Sequence, residues 1–123
     1  MNAHKRILLV DDNDEIREML ADTLESQNLE IVQAQNGSIA LELVSLQTFD
    51  FIITDCDMPV MNGLEFTKRM KEKGITTPIA MFSGNDDAKE RFIGALGGSA
   101  FFDKLEINAL QKHVKQTLES ERV

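Results

Sequence analysis

The stretch IITDCDMPVMNGLE, residues 52–65, passes from apolar, β-rich residues straight into acid, with Asp55 and Asp57 followed by Pro59 and Gly63. A short apolar run closed by turn residues reads as a buried strand, here one that delivers the carboxylate of Asp55 to its C-terminal tip. Four more runs of this kind flank it: ILLV (7–10), IVQA (31–34), PIAMF (78–82) and AFF (100–102), with FIIT (51–54) in the middle. Three of the five are nearly all apolar, as strands covered on both faces should be, while IVQA is weaker and reads as lying nearer a sheet edge.

Segments with helical spacing fill the intervals. Residues 14–27 place Ile16, Met19, Leu20, Thr23 and Leu24 on one stripe, and residues 38–47 place Ile39, Ala40, Leu43 and Val44. Residues 63–73 carry Leu64, Phe66, Thr67 and Met70 and stop at Gly74. Residues 86–96 open on Asp86 and Asp87, and a last segment carries Ile107, Leu110, Val114 and Leu118. Strict alternation of this kind defines an α/β chain, (βα)₅, doubly wound: a five-stranded parallel sheet with helices on both faces and right-handed crossovers. No internal repeat or linker divides the 123 residues, so the chain reads as one domain over 1–123, with a core at about 5–120.

Composition narrows the chemistry. The net charge is −8, from 21 acidic and 13 basic residues, which argues against nucleic acid or an anionic membrane as direct partner. Cys56 is the one cysteine, so no internal disulfide can form, as suits a reducing compartment. No apolar run nears the roughly 20 residues of a membrane span. The expectation is a cytoplasmic domain.

In open α/β sheets the working site lies beyond the carboxyl ends of the strands. Here those ends offer Asp11 and Asp12 after the first strand, Asp55 and Asp57 after the third, Ser83 and Gly84 after the fourth, and Lys104 after the fifth. If the first and third strands are neighbours, Asp11, Asp12 and Asp55 converge. Two carboxylates about 4 Å apart repel by ~1 kcal/mol in water and ~4 kcal/mol at a protein surface, so a cation belongs there. Lys104 supplies part of it. Hard oxygen ligands point to Mg²⁺ for the rest, with Mn²⁺ as the alternative. Each piece also has a plain reading: Asp11 and Asp12 as helix-terminal charge, Ser83-Gly84 as a turn, Lys104 as a solvated surface residue, Cys56 as a passive strand-end residue.

Taken together, ILLVDDN (7–13), FIITDCDMPVMNG (51–63), PIAMFSG (78–84) and FFDK (101–104) resemble the receiver domain of two-component response regulators, in order and spacing over essentially the whole chain. The resemblance implies a flavodoxin-like fold with strand order 2-1-3-4-5. It implies that Asp55 is the phosphoacceptor, attacking a phosphohistidine on a sensor histidine kinase or phosphotransfer protein. It implies that Asp11, Asp12, Asp55 and the backbone carbonyl of Asp57 serve the Mg²⁺. Lys104 then pairs first with Asp55 and later with a phosphoryl oxygen, and Ser83, with the Gly84 amide beside it, meets another. Phe101, at the family's aromatic position, turns inward when Ser83 moves, and so repacks the surface of the fourth helix, fifth strand and fifth helix. The reader of that surface is a downstream target or an output domain absent from this chain. Such a protein is no enzyme beyond catalysing its own phosphorylation and dephosphorylation.

Three positions depart from the family pattern. Leu105 stands where proline usually follows the lysine, which leaves the turn that aims Lys104 less constrained. Asp57 adds a carboxylate beside the phosphoacceptor, and Asp103 adds one beside Lys104. Rival readings fit less well. TDCDMP (54–59) also looks like the signature of haloacid dehalogenase-like phosphatases, but there the nucleophile follows the first strand. A flavodoxin-like electron carrier needs a phosphate loop after the first strand and aromatic stacking groups, and the chain has neither tryptophan nor tyrosine. A receiver that no longer cycles, working only as an interaction module, keeps a foothold through Leu105.

Overall fold

A computed structural model describes residues 5–25, 29–84 and 100–120. Within them β1 (Lys5–Val10), α1 (Asp14–Leu24), β2 (Leu29–Ala34), α2 (Gly37–Leu46), β3 (Phe51–Thr54), α3 (Gly63–Glu72), β4 (Ile79–Ser83), β5 (Ala100–Asp103) and a C-terminal helix (Ile107–Ser120) follow one another. The helix expected over 86–96 lies outside the described residues. The strands pair in parallel in the order β2-β1-β3-β4-β5. IVQA belongs to β2, at the sheet edge, and its half-exposed pattern contrasts with the continuous burial of β3 and β4.

Period-two alternation divides the core. Leu8, Val10, Ile52, Ile79 and Met81 face α2 and α3, where they meet Ala40, Val44, Phe66 and Met70. Ile7, Leu9, Phe51, Ile53, Ala80 and Phe82 face α1 and the C-terminal helix, against Leu20, Leu24, Leu110, Val114 and Leu118. A side chain of this size contributes about 1.5–3 kcal/mol when fully buried, so a one-residue slip of any central strand would forfeit both layers at once.

The helices start alike. Asn13, Asn36 and Asn62 each place a side-chain oxygen on the backbone N–H three residues on, at Ile16, Ile39 and Glu65. Each such cap contributes about 1 kcal/mol. Because the caps follow strand ends, the positive ends of three helix dipoles lie along one rim. At the other end of α3, Gly74 adopts φ 81. Its N–H donates to the Lys71 carbonyl and that of Ile75 to the Met70 carbonyl, the double bond pattern that favours glycine there. One boundary differs from expectation. The α1 pattern predicts a helix to residue 27, but it ends at Leu24, with Glu25 extended at φ −57 and ψ 134. By then Leu20 and Leu24 are buried, and the chain must turn back to begin β2 at Leu29.

Candidate functional site

Asp11 and Asp55 each stand one residue beyond the last paired position of a central strand. The Asp55 N–H continues the ladder to the Val10 carbonyl (2.8 Å), and that of Asp11 reaches the Ala34 carbonyl (3.1 Å). With β1 and β3 adjacent, the two carboxylates converge, and the exposed Asp12 joins them. Each of the three offers an oxygen within 4.8 Å of the others.

The Asp11 side chain is only 3% exposed. One of its oxygens accepts the Asn13 N–H at 2.9 Å and the other accepts the Lys104 ammonium at 2.8 Å. The Lys104 ammonium is 3.9 Å from the nearer Asp55 oxygen. The lysine therefore reaches Asp55, the partner expected from the sequence, but sits closer to Asp11. Asp11 is the deeper carboxylate, with 3% exposure against 11% for Asp55, so it gains more from a direct counterion. Asp55 instead accepts the Cys56 N–H at 2.8 Å. Its carboxyl is pushed up from 3.8 to about 6, first by burial and next by the Asp11 charge. Lys104 and the Cys56 N–H pull it back, and Asp12 adds a further push upward.

The remaining residues named from the sequence take up distinct places. Ser83 is buried at the end of β4, in register with Asp103. Gly84 lies against the Lys104 side chain; a Cβ there would meet its Cγ at 3.7 Å. The Lys104 ammonium also stands 5.4 Å from the Phe82 ring centroid. Phe101 is half-buried, in register with Met81, and packs on the layer formed with α2 and α3. Paired residues of parallel strands share a face, so Phe101 and Ser83 lie on the same side of the sheet. Asp57 is exposed, and its side chain is not part of the three-carboxylate group.

Several contributors escaped the sequence reading. The Arg17 side chain, 13% exposed, donates to the Asp11 carbonyl, to Gln33 and to Asp14, tying α1 and β2 to the base of the site. Gly63 opens α3 directly beneath Asp55: a Cβ there would come within 2.1 Å of the Asp55 carbonyl oxygen. Asp103 and Glu106 tie the turn around Lys104. DKLE (103–106) carries a readable signal, two acids three residues apart in the turn just before a helical pattern. No local pattern announces the Arg17 contacts with β2 or the approach at Gly63, which depend on which segments meet in space.

The donor set suits a hard divalent cation. Three carboxylates with oxygens within 4.8 Å of one another, partly neutralised by the Lys104 ammonium, match the oxygen chemistry of Mg²⁺.

Fold and rim together define a doubly wound, flavodoxin-like α/β domain whose acidic, cation-competent site lies at the carboxyl ends of its strands. The response regulator receiver domain family matches residues 7–115, and the chain belongs to that family. It is 34% identical over 112 residues to the sensor protein EvgS of Escherichia coli K12, covering 89% of this chain but 9% of EvgS. The structure of the chemotaxis protein CheY4 of Vibrio cholerae superposes with a TM-score of 0.79 at 34% identity, covering 94% of this chain and 99% of that one. Response regulator TrrA of Thermotoga maritima, solved in complex with Mg²⁺-BeF, superposes at 0.82 with 28% identity, covering 92% and 98%. The chain thus spans a small part of EvgS but nearly all of each solved receiver.

Proposed function

We propose that the chain is a phosphorylatable receiver in which Asp55 accepts a phosphoryl group from a phosphohistidine of a sensor histidine kinase or phosphotransfer protein. An Asp55 carboxylate oxygen forms the new O–P bond as the N–P bond of the donor breaks. The electron pair returns to the imidazole, and the product is an acyl phosphate. The observation that carries this reading is the position of Asp55. It ends a central strand at a rim shared with Asp11 and Asp12, 3.9 Å from an ammonium.

Asp11, Asp12 and Asp55, with the Asp57 carbonyl, would hold the cation, which when bound neutralises charge on the phosphoryl oxygens. The protein's own residues do the rest. Lys104 exchanges carboxylate for phosphoryl oxygen, Ser83 donates its hydroxyl, and the Gly84 amide lies beside it. Positioning and charge neutralisation dominate this kind of transfer. The shared face of Ser83 and Phe101 supports a switch in which movement of the serine toward phosphate lets the ring turn inward. The surface so altered is what a downstream target or output domain reads. On this reading the chain catalyses only its own phosphorylation and dephosphorylation. No helix among the described residues is long and apolar enough to cross a membrane.

The test mixes the protein with Mg²⁺ and acetyl phosphate and follows its intact mass. Wild type should gain one phosphoryl group and Asp55→Asn should not. If both gain it, the acceptor lies elsewhere; if neither does, the chain works as a non-cycling interaction module.

A further inference from the structure

The turn that carries Lys104 is tied from both sides. The Asp103 N–H donates to a Glu106 carboxylate oxygen at 2.8 Å, and the Leu105 N–H donates to the Asp103 carboxylate at 2.9 Å. The Glu106 N–H closes back on the Asp103 carbonyl at 2.8 Å, and the Glu106 carbonyl accepts the Leu110 N–H at 3.0 Å. The Glu106 carboxylate thus holds the Asp103 N–H and the Asp103 carboxylate holds the Leu105 N–H, so the two acids clasp the turn that joins β5 to the C-terminal helix. Leu105 is 93% exposed and contributes no packing that could fix the turn. The residue between the tied N–H groups is Lys104, whose ammonium must cross to Asp11 at 2.8 Å and stay within 3.9 Å of Asp55.

We propose that Asp103 and Glu106 are positioning residues for Lys104: their hydrogen-bonded clasp, in place of a rigid residue at 105, holds the ammonium over the acidic rim. The inference rests on the reading of Asp55 as phosphoacceptor, and it has a consequence that simple destabilisation lacks. The ammonium assists a phosphoryl oxygen but competes with a metal cation for Asp11 and Asp55. A loosened lysine therefore slows phosphorylation while letting the cation bind more tightly.

The decisive comparison is Glu106→Ala with Glu106→Gln, which lose the same charge but differ in whether an oxygen acceptor remains for the Asp103 N–H. The rate of Asp55 phosphorylation by acetyl phosphate at saturating Mg²⁺ is measured for both, with the Mg²⁺ dissociation constant measured by calorimetry without phosphodonor. Glu106→Gln should phosphorylate close to the wild-type rate. Glu106→Ala should be slower by roughly tenfold, the scale of a misplaced catalytic group, and should bind Mg²⁺ roughly two- to threefold more tightly than Glu106→Gln. Asp103→Ala and Asp103→Asn should repeat the pattern. Equal rates in the alanine and amide variants overturn the proposal, as does a parallel loss of rate and metal affinity. If wild type takes no phosphate, the receiver chemistry itself fails. The metal titration then decides this inference alone, and equal Mg²⁺ affinities for Glu106→Ala and Glu106→Gln overturn it.

Discussion

Asparagine at position 55 probes the electrostatics of the rim with little change in shape. The Asp55 carboxyl is raised from 3.8 to about 6, and its oxygen accepts the Cys56 N–H, which an asparagine oxygen can also accept. At 1.36 kcal/mol for each tenfold change in proton affinity, that rise corresponds to at most about 3 kcal/mol. Water at the open rim screens the charges, which leaves ~1–2 kcal/mol. The sign follows from proton linkage. Below 3.8 the folded and unfolded chains both hold the proton, so the carboxyl costs nothing. Between 3.8 and about 6 the unfolded chain releases it first, and the penalty on the folded state grows until it is complete above about 6. Urea unfolding in EDTA should therefore show Asp55→Asn more stable than wild type by ~1–2 kcal/mol near pH 7.5, with the curves converging near pH 4. Groups remote from the rim affect both proteins alike, so the difference reports residue 55 together with its coupling to Asp11, Lys104 and Asp12. A variant no more stable than wild type near pH 7.5 would refute the reasoning and show that Lys104 fully offsets the buried charge.

Magnesium should more than offset that penalty: at 100 times its dissociation constant it should stabilise wild type by ~2.7 kcal/mol. Asp12→Ala, at an exposed position, should abolish the shift in melting temperature; an unchanged shift places the cation elsewhere. Val60 is a β-branched residue at φ 70 with 80% of its surface exposed, so Val60→Asn should raise the urea midpoint, with a gain of about 1 kcal/mol from relieved backbone strain. An unchanged or lower midpoint would show that the loop holds this conformation without strain. Gly63→Ala should cost about 2 kcal/mol or more in thermal unfolding, because the contact at 2.1 Å is with backbone that cannot step aside. A neutral outcome would mean that α3 can shift freely.

Much of this arrangement is legible in the linear chain because burial on both faces demands apolar runs, and the ends of those runs are where acid, hydroxyl and amine appear. Phe51–Thr54 matches its predicted run in full, and the other strands overlap theirs, with β2 extending two residues earlier, to Leu29. Gly74 is readable as a helix stop because only backbone freedom is required there. The end of α1 is not, since residues 25–28 contain neither glycine nor proline and the helix ends where the sheet calls the chain back. The preference of Lys104 for Asp11 is equally hidden. It depends on which of two strand-end carboxylates lies deeper, a property of neighbouring strands rather than of either segment.

The asparagine caps of α2 and α3 carry a cost in ageing. Asn36 and Asn62 each precede a glycine, the pairing in which the next amide nitrogen most readily attacks the side-chain carbonyl and closes a succinimide. In the folded chain those two nitrogens are engaged, Gly37 donating to the Met61 carbonyl at 3.1 Å and Gly63 to the Cys56 carbonyl at 2.9 Å. Chemical wear at both sites should thus track the fraction of time the chain spends unfolded, and anything that steadies the native state should lengthen its working life.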